Sequence, residues 1–238
     1  MEVFAYSVLL QWKMNLRNKS VLLVYYMIPL GFWAFMGAIF SSINPMIKSE
    51  LTQVLTVIAV STGGLLGVPV ALSEAYTGDI KKAYIAGNIK LWFGVVSNFI
   101  SAFIHLSVVC VIIYLLTPMV FRSGKISDGA VYILSLALFM LTSIAVGSVI
   151  GLYVKDQGKL TIYSQIVYMP SLMLSGVMFD PGLLPKAFEL VGKILPATWG
   201  FQAMKSGELT VQEILPLIFI LGISLTLIVI RLFRIIKE

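Results

Sequence analysis

The chain holds one histidine, His105, and one cysteine, Cys110, and both fall inside long apolar runs. Acid-base, redox and metal chemistry draw on clusters of such groups at set spacings, and no cluster assembles here. No second histidine accompanies His105, and no carboxylate lies in the interior of a span to complete a metal site with it. Cys110 has no partner for an internal disulfide and no cysteine-rich metal pattern around it. No carboxylate pair has an acid-base setting, and no glycine-rich nucleotide fingerprint follows a strand. The stretch Gly151 to Leu160, GLYVKDQGKL, has the outline of a phosphate loop. Its glycines, Gly151 and Gly158, are too far apart, and Leu160 stands where the loop needs Ser or Thr. If the protein uses ATP, another chain binds it.

The polar residues that remain are buried in apolar sequence, where their chemistry is recognition. Gly94, Asn98, Ser101 and His105 recur at steps of four, three and four, so a helix carries them on one face. Such a stripe is costly in lipid unless it faces other helices or a wet cavity. Two readings follow: hydrogen bonding between helices, or a substrate path lined by Asn98, Ser101 and His105 with Gln165. A separate polar group, Asp180, Lys186 and Glu189, lies in a proline-rich stretch and is what a lipid-modifying enzyme would have to use.

The elements that position these residues are membrane spans. Of the 238 residues, 59% are hydrophobic and 12% charged, about half the charged fraction of a soluble domain. Apolar runs at about 21–40, 51–72, 91–117, 130–153, 160–178 and 212–231 each approach the ~20 residues that cross a bilayer. The expected fold is therefore an all-α integral membrane domain of six transmembrane helices, a single domain over 1–238. Residues 1–20 do not form a cleavable signal peptide, because Lys13, Arg17 and Lys19 come late and no small-residue cleavage site follows. They read as an N-terminal amphipathic interfacial helix, with Met1, Ala5, Val8, Leu9, Trp12 and Leu16 on one face.

Charge sets the orientation. Of the 17 Lys and Arg residues, eleven (Lys13, Arg17, Lys19, Lys81, Lys82, Lys90, Lys155, Lys159, Arg231, Arg234, Lys237) fall in alternate connections that share a side with the N-terminus. Both termini are expected in the cytoplasm. The net charge of +6 sits at span ends, which favours lipid head groups over nucleic acid. No ion channel's charged ring occurs inside the spans.

Within the spans, small residues repeat every four positions at Ser143, Gly147 and Gly151, and at Gly63 and Gly67, so that another helix can approach closely. That partner helix belongs either to the same subunit or to a second one. Pro29, Pro69, Pro170 and Pro216 lie in or near spans and favour kinks. Between the last two spans, residues 175–205 are too polar to cross and too apolar for an ordinary loop. Pro181, Pro185 and Pro196 divide this stretch into short pieces, one of them with Phe188, Leu190, Val191, Ile194 and Leu195 at roughly helical spacing. It reads as a re-entrant helical hairpin or as a plain interfacial helix. In the first case its apolar face, Phe188, Val191 and Leu195, packs on the spans. The loop 73–90, SEAYTGDIKKAYIAGNIK, is the longest internal cytoplasmic connection and is read either as a solvated linker or as a docking helix.

Taken together, the interfacial helix, six spans, charged loop and proline-broken hairpin resemble the permease subunit of an ABC-2 type transporter over essentially the whole chain. Two local patterns carry the resemblance. Ser175, Gly176, Pro185, Pro196 and Thr198 match the family's small-glycine and two-proline signature before the last span. Glu74, Gly78 and Lys81 match its acidic, glycine and basic positions after the second span; a family proline shortly beyond is replaced here by Ala86 to Asn88. The resemblance implies an ATPase coupling segment with Glu74, Gly78, Asp79, Lys81 and Lys82, and an extracytoplasmic gate with Ser175, Gly176, Pro181, Pro185 and Pro196. It also implies ATP and Mg on a separate ABC ATPase, no cofactor in this chain, and a second permease, identical or not, in a bacterial or archaeal plasma membrane. The implied activity is ATP-driven export. Small outer loops and an apolar interior favour a drug, antimicrobial peptide or lipid-like cargo over a lipid-linked polysaccharide.

Overall fold

A computed structural model of the chain describes residues 13, 19–43, 48–77, 90–124, 126, 128–179 and 181–237. The expected interfacial helix over 1–20 lies almost wholly outside them, as do Gly78, Asp79, Lys81 and Lys82. Among the described residues every regular element is helical. Five helices are long and apolar enough to cross a membrane: α1 (Leu23–Ser42), α2 (Leu51–Tyr76), α3 (Trp92–Phe121), α4 (Gly129–Tyr153) and α8 (Val211–Ile235). The sixth expected span, 160–178, corresponds to α5 (Gln157–Met173), a helix of 17 residues. At 1.5 Å per residue it is about 26 Å long, short of a ~30 Å hydrocarbon core. Its sequence explains the early end, because the chain turns out of helix at Leu174 and Ser175 on its way to Gly176, whose φ is +90°.

Successive spans run up and down, and contacts at both ends fix the pairing. At one end the Gly124 N–H donates to the Lys48 carbonyl (3.4 Å), and Lys205 pairs with Glu50 (2.9 Å). At the other, Gln157 Nε2 donates to Ser73 Oγ (3.5 Å) and Arg231 Nε to the Leu152 carbonyl (3.1 Å). The first is called the hairpin end and the second the loop end.

α2 is the axis of the bundle. Of its apolar stretch 89% is buried, against 17% for α1 and for α8. It begins and ends in ordinary helix but contains a π-turn, Gly63–Gly67, two residues before Pro69; α1 opens with another, Leu23–Met27, two residues before Pro29. Each proline withholds the N–H that an α-helix would aim four residues back. The preceding turn widens instead, so that Ile28 N–H reaches the Leu23 carbonyl and Val68 N–H the Gly63 carbonyl. Of the four prolines expected to favour kinks, Pro29 and Pro69 each follow a wide turn, while Pro170 and Pro216 lie inside the helices α5 and α8.

These two turns pack on each other. The ring of Tyr25, fully buried, covers Gly63 and Gly67, where an added Cβ would meet it at 3.2 and 3.1 Å. On the other flank of the turn, the Ser143–Gly147–Gly151 row of α4 lies against Gly64 and Pro69; a Cβ on Gly147 would strike the Gly64 carbonyl, and one on Gly151 the Pro69 carbonyl at 2.8 Å. The small-residue row therefore serves close packing within one subunit. Hydroxyl pairs tie the neighbours to the same axis, Thr56 with Tyr132 of α4 (2.8 Å) and Thr62 with Tyr168 of α5 (3.0 Å).

Candidate functional site

The polar stripe of α3 is buried throughout: Asn98, Ser101 and His105 expose 1%, 0% and 0% of their surface. His105 owes its place to α1, whose widened first turn projects Tyr25 and Tyr26 side by side. Tyr26 Oη lies 2.7 Å from His105 Nδ1, and the Tyr25 ring centroid lies 5.3 Å from that of the imidazole. Sequence reasoning missed this pair; its signal was two tyrosines three and four residues ahead of Pro29. Asn98 differs in kind. Its side-chain nitrogen and oxygen are both buried without a hydrogen-bond partner, and the Gln165 side-chain oxygen on α5 is in the same condition. The structure does not bring the two together, since α3 and α5 pack on α2 and α4 rather than extensively on each other. A buried amide without partners among the described residues costs free energy.

At the loop end, the second span runs further than the sequence suggested. Its helix continues through Thr77, so Ser73 to Thr77 open the 73–90 stretch as helix. The physical reason is that Ser-Glu-Ala-Tyr-Thr contains no breaker, and the first glycine is Gly78. On this last turn Ser73, Ala75 and Tyr76 are buried and Glu74 is exposed. The phosphate-loop look-alike lies nearby and is a helix junction. Gly151 belongs to α4, Asp156 Oδ1 caps the start of α5 by accepting from Lys159 N–H (2.8 Å), and Gly158 lies in the first turn of that helix. Beside it, Arg231 and Tyr153 clasp α8 to α4: Arg231 caps the Leu152 carbonyl, and Tyr153 Oη donates to the Leu227 carbonyl (3.2 Å).

At the hairpin end, the proline-divided stretch contains a 3₁₀ turn (Pro181–Leu183), α6 (Lys186–Gly192) and α7 (Pro196–Lys205). Each proline stands where its fixed backbone starts an element: Pro185 just ahead of α6 and Pro196 at the first position of α7. Ser175 and Gly176 make the turn that leaves α5. Ser175 Oγ donates to the Leu172 carbonyl (3.2 Å), and Gly176 takes a left-handed conformation with Pro181 packed over it. α7 is buried against α4, while α6 is not, and this corrects the expected packing face. Phe188 and Val191 are 54% and 44% exposed, and α6 touches the body through Gly192, where a Cβ would meet the Leu174 carbonyl at 2.7 Å. The reason lies in how α7 holds it. Thr198 Oγ1 donates to the Gly192 carbonyl (2.6 Å) and Trp199 Nε1 to the Lys193 carbonyl (2.7 Å), capping α6 by its C-terminus and turning its apolar side outward. Glu189 pairs with Lys193 on the exposed side (2.7 Å), and that hydrogen bond holds the carboxyl below its usual range.

Between this hairpin and the first turn of α2 opens a cavity of about 650 Å³. Met178, Phe179, Leu183 and Phe201 supply apolar wall, and Glu50, Lys205 and Glu213 supply charge. Sequence reasoning did not single out these three charged residues, because Glu50 is far in sequence from Lys205 and Glu213 and meets them only when the spans pair.

The chain therefore presents a polar seam inside one subunit, an exposed Glu74 on the last turn of α2 at one end and a cavity under a hairpin at the other. No curated relative matches the chain. The profile of the ABC-2 type transporter family matches residues 3–209. The chain belongs to the ABC-2 type transporter family, as a multi-pass permease subunit of an ABC transporter.

Proposed function

We propose that this permease exports an amphiphile, such as a drug, an antimicrobial peptide or a lipid-like compound, driven by ATP bound with Mg on separate ABC ATPase subunits. Two permeases, this chain and a like or unlike second copy, enclose the path in a bacterial or archaeal plasma membrane, with both termini cytoplasmic. α5 completes six spans, and the hairpin end is extracytoplasmic. ATP binding closes the ATPase pair, and the motion enters through the N-terminal helix and the 73–90 loop, with Glu74, Gly78, Asp79, Lys81 and Lys82 as the docking residues. The spans then move between two arrangements that ATP and cargo bind differently. Asn98, Ser101, His105 and Gln165 line the path in the arrangement where the helices part, and Ser175, Gly176, Pro181, Pro185 and Pro196 shape the gate above it.

The observation that carries the amphiphile reading is the hairpin end. Its described residues build only short connections, a 3₁₀ turn and two small helices, and the turn and α7 line a cavity with one apolar wall and one charged rim. The test is transport into inside-out vesicles containing the chain and its ATPase. ATP-dependent uptake of a fluorescent amphiphile is expected. In the Glu74→Lys variant, insertion should persist while ATPase co-purification or uptake falls at least tenfold, because the substituted charge faces a docking partner. Uptake of a lipid-linked glycan without amphiphile uptake would replace the cargo assignment, and full assembly and uptake in Glu74→Lys would make the loop a solvated linker.

A further inference from the structure

We infer that the cavity beneath the hairpin is a binding site for an organic cation carrying an apolar ring or tail. Three observations meet there. The first is size, since about 650 Å³ is the volume of a drug-sized ligand site. The second is the wall: Met178, Phe179 and Phe201 offer a deformable thioether and two aromatic faces, a surface that accepts flat apolar groups of varied shape. The third is charge. Among the described residues the rim carries two carboxylates, Glu50 and Glu213, against one ammonium, Lys205, an excess of one negative charge.

The arrangement of those three groups makes the excess usable. Lys205 Nζ bridges to Glu50 at 2.9 Å and lies 5.9 Å from the centre of the Phe201 ring, so this cavity already holds one cation over an aromatic face beside a carboxylate. That ammonium is the chain's own occupant of a cation position. The pair is exposed, 50% at Lys205 and 30% at Glu50, and such pairs are weak enough for an incoming cation to displace. Glu213 has only a hydroxyl as partner, Ser206 Oγ at 3.0 Å, and among the described residues no cation pairs with it. A ligand cation entering between the two carboxylates therefore gains Glu213 and competes with Lys205 for Glu50. A ligand anion would meet the opposite: two carboxylates and one ammonium already engaged.

As the cargo class of the exporter this assignment rests on the permease reading above, whereas the binding itself does not, and the test separates the two. The full chain is placed in phosphatidylcholine nanodiscs, and the anisotropy of the cationic dye rhodamine 6G is followed against empty discs. Saturable binding above the empty discs is expected, with no comparable binding of the anionic dye sulforhodamine B. Glu213→Gln should weaken binding about fivefold and Glu213→Lys should abolish it, while Lys205→Gln should tighten it about fivefold by removing the internal competitor. Both positions line the cavity, and a monodisperse gel-filtration peak confirms that each variant is folded. Binding no greater than to empty discs, equal binding of the anionic dye, or weaker binding in Lys205→Gln each overturns the site. If the charge pattern holds but inside-out vesicles supplied with external ATP do not take up the dye, export fails and the site stands. If uptake occurs without charge-dependent binding in the discs, the site fails and export stands.

Discussion

Asn98 is where the chain holds polar capacity that its present packing does not use. Both polar atoms of its side chain are buried without partners, on a helix whose next polar residue toward the hairpin end, Ser101, and then His105 are also fully buried. An amide in that condition costs about 1–3 kcal/mol relative to a satisfied one. Replacing it with an apolar residue of similar size should therefore leave the resting fold intact or raise its stability. If the amide is satisfied only when the helices part, Asn98→Leu should raise the thermal midpoint in detergent and lower transport at least severalfold. A lowered midpoint would mean that the amide holds this packing together, and unchanged transport would remove Asn98 from the path. Thr198 makes the opposite case, a side chain whose whole role is visible. Its hydroxyl donates to the Gly192 carbonyl at 2.6 Å, so Thr198→Val should cost about 1 kcal/mol, as loss of a helix cap does, and loosen α6 without unfolding α7. Faster amide exchange confined to α6 is the expected signature. Such roles were only partly legible in the sequence. Spacing put Asn98 and His105 on one face, because helical periodicity is local information. It could not supply Tyr26 as the partner of His105, 79 residues away, because that contact depends on how two spans meet.

At the scale of elements, the glycine-rich turn of α2 decides how closely the bundle closes. Gly63 and Gly67 take the Tyr25 ring, and Gly64 takes the Ser143–Gly147 row of α4, so one five-residue π-turn serves neighbours on two flanks. A side chain on Gly147 would strike the backbone carbonyl of Gly64, which cannot yield as the tip of a flexible side chain would. Gly147→Val should then cost about 1–3 kcal/mol through overpacking, and Gly147→Ala nearly as much. Gly222 on α8 is the control. An added Cβ there meets nothing within 4 Å, so Gly222→Ala should be neutral or stabilise by up to about 1 kcal/mol through helix propensity. Thermal unfolding of the three variants in one detergent checks this, and equal midpoints for the two alanine variants would refute the close-packing account. The period-four rows of small residues were plain in the sequence. The π-turns were not, although their cause was: Pro29 and Pro69 announce a missing donor, but whether the helix bends, breaks or widens depends on what packs beside it. Here a buried tyrosine and a row of small residues leave room for the wide turn. The end of α2 was misplaced for a related reason, since hydropathy marks where lipid stops and not where a helix does. α5 shows the converse: its apolar run is longer than its helix, because Gly176 and Ser175 turn the chain before the run ends.

For the molecule as a whole, the question is which part of the hairpin end moves. Among the described residues the two glycines with positive φ are Gly176 (90°) and Gly207 (72°), and they bracket the hairpin. Within that bracket the two helices differ sharply. α7 is buried against α4, with Ala203 and Met204 1% and 2% exposed, and Ser135 Oγ of α4 donates to the Ala203 carbonyl (3.1 Å). α6 is held by its C-terminal caps and the backbone of Gly192, with Leu190 and Ile194 64% and 71% exposed. On the proposed gate reading, the 3₁₀ turn and α6 swing about Gly176 while α7 stays with the body. Single cysteines at Leu183, Lys186, Leu190 and Ala203, introduced into a Cys110→Ala background, should separate these parts. With an impermeant thiol reagent added from outside to the assembled transporter, the first three should label, and at least one should change its rate when a non-hydrolysable ATP analogue is bound. Ala203 should stay protected in both states, because exposing it requires α7 to leave α4. Labelling of α6 from the cytoplasmic side alone would invert the topology. External labelling indifferent to nucleotide would reduce α6 to a fixed interfacial helix, and nucleotide-dependent labelling at Ala203 would show that the whole bracket from Gly176 to Gly207 moves as one piece.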